Sequence, residues 1–361
     1  MSRSKSSNTV VFFLALLLTL LTACQDNSSP TNPESSKTWQ YIESGAGAFR
    51  SVVVTPDGGL VTAGTSTFMT LSKFDMKGKR LWTKTVQDTQ PSGGNALSET
   101  DDGFVIGGGA LIVGTDSQGN RLWSRRFGSL SGSFCNAVAV AQNGDLLAAG
   151  YTRDSASSDL EVIICRLTSE GDSLWYRIFD EPSFAEAQSI KPTADGGCVV
   201  SGYRFPPSPD SGVFLLRLND HGDSLWSRHF GGDNAFGLLV TEGEEFLLMT
   251  TIHNYPYIEN VLTKLDASGN LLWSKKFPLS DYTFAGTLTS DGGSVFVGRT
   301  FSQWESFAMK FDSEGELRWR QTYGSAVILD VVQIADSGFV FAGAAGQSVA
   351  FLGRVNANGL F

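Results

Sequence analysis

Residues 266–273 read DASGNLLW, and closely related eight-residue segments recur along the chain. The other copies are DMKGKRLW (75–82), DSQGNRLW (116–123), TSEGDSLW (168–175), NDHGDSLW (219–226) and DSEGELRW (312–319). In every copy glycine lies four residues before tryptophan, and successive tryptophans are 41–52 residues apart. A period of about 40–50 residues with only short strands between turns is typical of a β-propeller.

A second unit alternates with the first and consists of a polar turn followed by an apolar run. Its copies are DGGLVTAG (57–64), DDGFVIGG (101–108), NGDLLAAG (143–150), DGGCVVSG (195–202), EGEEFLLM (242–249), DGGSVFVG (291–298) and DSGFVFAG (336–343). Glycine supplies the positive φ of a tight hairpin, and Asp or Asn bonds its own backbone two residues on. Seven copies predict an all-β fold, a seven-bladed β-propeller with four antiparallel strands in each blade.

The repeated tryptophans are predicted to be structural wedges between neighbouring blades, because a residue repeated in every blade indicates scaffold rather than site. They are Trp39, Trp82, Trp123, Trp175, Trp226, Trp273 and Trp319. The seventh repeat stops at VNANGLF (355–361) without a tryptophan strand, whereas TWQYI (38–42) is a tryptophan strand with no three strands before it. We therefore expect residues 38–43 to pair with residues 348–356, so that the N- and C-terminal strands close the ring and leave no long exposed edge.

The first 23 residues are predicted to be a signal peptide outside the fold. They begin with two basic residues, and their apolar run of 12 residues (10–21) is too short to span a bilayer. The segment ends in Leu-Thr-Ala-Cys, which resembles a bacterial lipobox, and this resemblance implies that Cys24 is lipidated. An ordinary secretory peptide with a chance cysteine is the alternative.

Residues 24–37 are predicted to be a flexible tether, and residues 38–361 form the propeller. The segment QDNSSPTNPESSK (25–37) holds no apolar side chain to bury and could extend over about 45 Å. The predicted location is the bacterial cell envelope, with a lipid anchor at Cys24 and the outer membrane favoured over the inner one. The sequence therefore predicts that the protein is attached to a membrane through this anchor.

Composition excludes several classes of protein. Acidic residues outnumber basic ones by 37 to 27, and no basic stripe marks a nucleic-acid-binding face. Cys135, Cys165 and Cys198 form no metal-binding spacing and are predicted to be buried, although a bridge between Cys165 and Cys198 stays open. No metal site and no nucleophile or phosphate-binding motif is recognised. A monomer is expected.

The segments LDASGNLLW, TDSQGNRLW and LNDHGDSLW resemble the pyrroloquinoline-quinone-type (PQQ-like) propeller repeat, and the similarity runs over residues 39–361. That family includes quinoprotein dehydrogenases and cofactor-free lipoproteins such as the scaffold of outer-membrane protein assembly. Here the acidic residue lies three rather than four positions before glycine, seven repeats replace the usual eight, and no adjacent cysteine pair is present. The resemblance therefore implies a lipoprotein without a cofactor.

Candidate ligand-binding residues lie in the connections between the second and third strands, which vary in length. Arginine and aromatic side chains on a convergent surface are typical of binding sites. The candidates are Tyr151, Arg153, Tyr203, Arg204, Phe205, Tyr255, Tyr257 and Trp304. The alternative is that these rings pack against their own loops. A second aromatic series just before the first strands (Phe49, Phe134, Phe184, Phe236 and Phe284) is predicted to pack between blades.

These observations favour a non-catalytic binding or scaffolding lipoprotein that takes a protein or glycan partner on the variable-loop face. A carbohydrate-active enzyme or lectin using the same face is the alternative. Carboxylates clustered at the channel mouth would favour an enzyme, and an aromatic rim would favour binding.

Overall fold

A computed structural model describes residues 38–361 apart from residues 46, 66–67, 87–92, 129–131, 154–159, 180–184, 206–211, 234, 255–256, 280, 301–304 and 347. The described residues form 28 strands in seven four-stranded antiparallel sheets and contain no helix. Accordingly, this part of the chain offers no apolar helix of membrane-spanning length. The predicted seven-bladed β-propeller is confirmed. The predicted signal peptide, Cys24 and the tether lie outside the described residues.

Each of the first six blades is built from four consecutive strands, ordered from the channel outward. Blade 1 holds β2 (Ala48–Val54), β3 (Leu60–Thr65), β4 (Met69–Phe74) and β5 (Arg80–Thr85). Blade 2 holds β6 (Ala96–Thr100), β7 (Gly103–Gly108), β8 (Leu111–Asp116) and β9 (Arg121–Arg126). Blade 3 holds β10 (Phe134–Val140), β11 (Leu146–Arg153), β12 (Leu160–Leu167) and β13 (Ser173–Phe179).

The same order continues around the ring. Blade 4 holds β14 (Ala185–Pro192), β15 (Cys198–Arg204), β16 (Gly212–Leu218) and β17 (Ser224–Phe230). Blade 5 holds β18 (Gly237–Val240), β19 (Phe246–Asn254), β20 (Tyr257–Leu265) and β21 (Leu271–Phe277). Blade 6 holds β22 (Asp281–Leu288), β23 (Ser294–Thr300), β24 (Ser306–Phe311) and β25 (Leu317–Thr322).

Blade 7 combines both ends of the described chain. It holds β26 (Val327–Gln333), β27 (Phe339–Ala344), β28 (Val349–Val355) and, as its outermost strand, β1 (Trp39–Ser44). The register runs from Trp39 opposite Arg354 to Ser44 opposite Val349. The predicted closure of the ring by the terminal strands is therefore confirmed.

Each repeat tryptophan packs on a glycine of the following blade. Trp123 of blade 2 lies against Gly171 in the last turn of blade 3, where a Cβ atom would come within 2.7 Å of the indole. Trp39 lies in the same way against Gly78 of blade 1, and its Nε1 donates to Met76 O at 2.8 Å. The pattern holds at all seven junctions: Trp39–Gly78, Trp82–Gly119, Trp123–Gly171, Trp175–Gly222, Trp226–Gly269, Trp273–Gly315 and Trp319–Gly359. Each tryptophan thus lies between neighbouring blades, as predicted. The glycine of each repeated eight-residue segment, which we call the octet, contacts the tryptophan of the preceding repeat.

The turn chemistry explains why glycine is available at that place. Asp266 Oδ1 accepts bonds from the backbone nitrogens of Ser268 and Asn270 at 2.9 and 2.8 Å, and Gly269 N donates to Asp266 O. The turn puts Gly269 at φ +76°, which other L-residues adopt only with strain. The repeated octet therefore encodes both a hairpin turn and a glycine without a side chain, against which the indole of the preceding blade packs.

A cation two residues after the tryptophan completes several blade junctions. Arg125 lies over the Trp123 ring at 5.8 Å, and its Nε donates to Gly171 O at 2.8 Å. Arg228 does the same over Trp226, with Gly269 O as the acceptor. Stacked arginine combines cation–π attraction with hydrogen bonding, so these side chains hold neighbouring blades together at the outer rim.

Candidate functional site

A β-bulge interrupts the innermost strand of five blades at the same position. The pairing with the second strand skips one residue, namely Arg50, Asn136, Gln188, Phe284 or Leu329. A bulged residue has no cross-strand partner, and bulges re-aim side chains next to binding sites. In blades 2 and 5 the inner strand begins directly after the equivalent residue, which is Asn95 or Phe236.

We call these seven residues the bulge collar. Every one of them lines a central cavity of about 770 Å³, along which the innermost strands of all seven blades run. This volume lies in the range of ordinary small-molecule sites, which is roughly 300–1,000 Å³. The members, in ring order, are Arg50, Asn95, Asn136, Gln188, Phe236, Phe284 and Leu329.

The bulge collar is chemically divided into two arcs. Blades 1–4 contribute one guanidinium and three carboxamides, and blades 5–7 contribute two phenyl rings and a leucine. Phe236 keeps 36% of its surface exposed. A ligand in the cavity thus meets hydrogen-bonding groups on one side and an apolar wall on the other, an arrangement that fixes ligand orientation.

Hydrogen bonds across blade junctions hold two amides of the polar arc. Asn136 Nδ2 donates to Ala187 O of the next blade at 2.9 Å, and Gln188 Oε1 accepts from Ala235 N at 2.7 Å. Gln188 Nε2 also donates to Glu186 Oε1 at 3.3 Å, so this amide is held at both of its polar atoms. The polar arc is therefore pre-organised by the scaffold.

Two ionisable side chains lie deeper in the same cavity. Asp330 Oδ2 accepts from Ser51 Oγ at 2.8 Å and from Val52 N at 2.9 Å, which joins blade 7 to blade 1, and Oδ1 accepts from Val331 N. Burial nevertheless raises the pKa of Asp330. Burial lowers the pKa of Lys191, and the attraction of Asp330 opposes this shift.

The predicted loop residues of blade 3 form an exposed aromatic pair. Tyr151 stacks on Phe134 with ring centroids 5.6 Å apart, and Phe134 keeps 42% of its surface exposed. Arg153 is exposed two residues further along β11. Phe134 and Arg153 are therefore exposed and Tyr151 is half-buried, and the binding role of Tyr151 and Arg153 stays a prediction.

A glutamate adjoins this aromatic pair. Burial raises the pKa of Glu186, while a hydrogen bond from Gln188 Nε2 at 3.3 Å opposes the shift. Burial, and secondly the charge of Glu186, raise the pKa of Tyr151. The spacing arguments of the sequence do not single out Glu186.

The predicted residues of blade 4 pack into the protein. Tyr203 and Arg204 are 8% and 3% exposed, and the Phe205 ring meets Tyr203 edge-on at 4.8 Å. Tyr203 belongs to a core cluster with Ala235 and Leu238 of blade 5. Their described environment is the junction between blades 4 and 5.

The remaining candidates fall outside the described residues. Tyr255 and Trp304 are in undescribed segments, and Tyr257 begins β20 although its side chain is not described. The proposed roles of these residues and of Cys24 stay predictions.

The second aromatic series is only partly explained by packing between blades. Phe49 is 3% exposed and packs with Leu352 of blade 7, as predicted. The prediction is wrong for the exposed Phe134 and for Phe236, and Phe284 lines the cavity. The reason is register: Phe236 and Phe284 occupy the bulge position, whereas Phe49 lies one residue before it and Phe134 two. Phe184 lies outside the described residues.

The cysteines and acidic residues form no metal site in the described part of the chain. Cys135, Cys165 and Cys198 are buried and free, so the Cys165–Cys198 bridge is not formed. Burial raises the pKa of Cys165 and Cys198 to about 12. No described group of three or more His, Cys, Asp or Glu side chains could hold a metal ion.

Comparison with known proteins identifies the fold. Neither the protein-family models nor the curated protein sequences match this chain. Among solved structures, the Pan2 WD40 domain of Neurospora crassa superposes with a TM-score of 0.62 at 11% identity, covering 90% of this chain and 98% of that one.

Two further structures are similar at comparable distance. A protein of unknown function from Bacteroides caccae gives a TM-score of 0.53 at 14% identity, covering 73% of this chain and 93% of that one. The polysaccharide lyase Uly1 gives a TM-score of 0.54 at 13% identity, with coverages of 92% and 94%. Identities this low show a shared propeller fold and leave the function to the site itself.

Proposed function

We propose that this protein is a binding propeller of the bacterial cell envelope, held to a membrane through Cys24, which takes its ligand at the bulge collar. The observation that carries the proposal is the division of the collar into a hydrogen-bonding arc and an apolar arc around one cavity. The collar side chains are carboxamides, a guanidinium and apolar groups, which are the groups that orient a bound ligand.

The envelope location rests on the sequence of the first 37 residues. The lipobox-like segment before Cys24 and the polar tether after it would let the propeller stand off the bilayer surface. The similarity of the repeats to PQQ-like propellers adds support for a cofactor-free scaffold. The protein or glycan partner would approach over the aromatic pair Phe134–Tyr151, which lies at the end of blade 3 where its inner strand begins.

The collar is tested by retention of endogenous ligands. The protein is purified from its native envelope in mild detergent, and native mass spectrometry records the bound small molecules. The double variant Phe236→Ser/Phe284→Ser should lose them. A matched control, Leu225→Ser/Leu272→Ser, alters two outer-strand side chains that are 53% and 48% exposed and should retain them. Equal retention by both variants would reject the collar.

The anchor is tested by metabolic labelling with palmitate. The wild type should incorporate label and sediment with membranes, and Cys24→Ser should do neither. The tether variant Ser28→Ala should behave as the wild type. A labelled Cys24→Ser protein would refute the proposed anchor.

A carbohydrate-active enzyme or lectin is the second candidate. The observation that favours it is Glu186, a carboxyl group whose pKa is raised by burial beside the aromatic pair of blade 3. Aromatic faces suit sugar rings, and a carboxyl group whose pKa is raised is the kind of group that serves as the general acid of a glycosidase. Release of reducing sugar from a polysaccharide panel, abolished by Glu186→Gln, would establish the enzyme. Binding unaffected by Glu186→Gln would indicate a lectin.

A further inference from the structure

We infer that the central cavity holds an elongated amphipathic carboxylate, whose anionic end binds Lys191 and whose apolar end rests on the Phe236–Leu329 arc of the bulge collar. The inference rests on the proposed function and names the ligand class of that site.

Lys191 is an exception within its own repeat. The equivalent residue, three positions after the collar residue in each inner strand, is neutral in the other six blades: Val53, Ser98, Ala139, Leu239, Thr287 and Val332. The scaffold therefore does not require a cation at this position. A charged side chain that lines a central cavity without structural need is a candidate ligand-binding group.

The ammonium group has no hydrogen-bond acceptor or ion-pair partner among the described residues. The negative charge that acts on it is that of Asp330. The carboxylate oxygens of Asp330 already accept three hydrogen bonds, from Ser51, Val52 and Val331. A half-buried cation that lacks an acceptor gains from an anionic ligand, because the ligand replaces hydration lost on burial.

The other charges in the cavity leave this preference intact. Glu99 is half-buried, and burial together with the charge of Asp57 raises its pKa, while the charge of Lys73 opposes the shift. Glu242 and Glu244 line a second pocket that Lys191 also lines, and Glu244 accepts a bond from Ala194 N at 2.7 Å. Arg50 adds a second cation in the collar itself.

The strand geometry sets the length of the ligand. Lys191 follows the collar residue Gln188 by three positions in β14, which corresponds to about 10 Å along the strand. An inorganic anion at Lys191 would leave the apolar arc empty, and a short carboxylate could not touch both. The ligand therefore carries its charge about 10 Å from its apolar group.

A series of ω-phenylalkanoates, from phenylacetate to 8-phenyloctanoate, serves as a ruler for this distance. Isothermal titration calorimetry with the wild type should show affinity rising until the carboxylate reaches Lys191. The longer acids should bind about ten- to a hundredfold more tightly than their uncharged amides, as a hydrogen bond between charged groups provides.

Lys191→Met should abolish the preference for acid over amide while retaining the melting temperature. Lys276→Met, which removes an exposed outer-strand cation, should retain the preference. Equal affinity of acid and amide for the wild type, a preference that survives Lys191→Met, or no binding of any member would overturn the inference. Amide binding that is lost in Phe236→Ser/Phe284→Ser would still support the collar, so the two failures are distinguishable.

Discussion

Gly171 and Gly144 share a backbone conformation and differ in their surroundings. Both have positive φ, +82° and +85°, but a Cβ atom at Gly171 would lie 2.7 Å from Trp123, whereas nothing lies within 4 Å at Gly144. Gly144→Ala should cost about 1–2 kcal/mol of backbone strain. Gly171→Ala should cost about 1–3 kcal/mol more, because the indole must move.

Urea denaturation of the two alanine variants measures this difference directly. Because both variants carry the same backbone strain, the difference between their free energies of unfolding reports the cost of disturbing the contact with Trp123. If the two free energies of unfolding fall equally, the octet glycine is needed only for its turn, and its contact with the indole has no energetic role.

The pKa of Glu186 gives a second prediction at the residue scale. Burial raises it, so the folded protein holds its proton more tightly than the unfolded chain, and this contribution to stability is lost as pH rises through the folded pKa. Glu186→Gln avoids the buried charge. Its stability relative to wild type should therefore increase from pH 4 to pH 8 in thermal melts. A pH-independent difference would contradict the prediction.

Among the elements, β1 closes the ring. It supplies the backbone ladder to β28, the bond from Trp39 Nε1 to Met76 O, and Glu43, which accepts a bond from Arg80. A protein lacking residues 1–44 should melt at least about 5 °C below one lacking residues 1–37, because it loses the whole backbone ladder of β1 together with the partly buried Trp39 and Tyr41. Equal melting temperatures in differential scanning calorimetry would show that β1 is dispensable.

The inner strands carry the bulge collar, which is the part of the candidate site that the sequence did not predict. The octets and Gly-rich turns are local signals repeated in every blade, and they predict the blades, the wedges and the closing strand. The collar has no such signal, because its seven positions hold five residue types and are defined by a pairing shift. A one-residue difference in register separates the buried Phe49 from the cavity-lining Phe284, although both are aromatic residues in the first half of an inner strand. Counting four residues back from the end of the first strand would have found the collar in six blades, whereas in blade 2, where β6 ends at Thr100, Asn95 lies five residues back.

At the scale of the whole molecule, the two ends meet in an incomplete copy of the repeat. Residues 356–361 form the octet turn, with Asn356 Oδ1 accepting bonds from the nitrogens of Asn358 and Leu360 at 2.9 and 3.1 Å. Joining Phe361 directly to Thr38 would give NANGLFTW, which restores the glycine-to-tryptophan spacing. The restored spacing predicts that a peptide bond between Phe361 and Thr38 could replace the pairing of two separate chain segments in blade 7.

A circular permutant tests this geometry. It begins at Ser325, joins Phe361 to Thr38 without a linker and ends at Gly324, so that blade 7 becomes continuous. It should have the circular-dichroism spectrum of the native propeller and unfold faster in urea, because no blade then holds both ends of the chain. A version with four extra residues at the junction should be less stable. If the permutant unfolds as slowly as the native protein, the pairing of β1 with β28 does not slow unfolding.

Because the collar residues stand outside the ladder of cross-strand pairs, their side chains can change without altering the pairing of the strands, although Asn136 and Gln188 also bond the backbone of the next blade. Seven codons, scattered 41 to 52 positions apart, therefore specify the chemistry of one wall. A library restricted to those codons would vary ligand preference while the strand pairing of the propeller stayed the same. The ligand selectivity of this scaffold could therefore be changed one blade at a time.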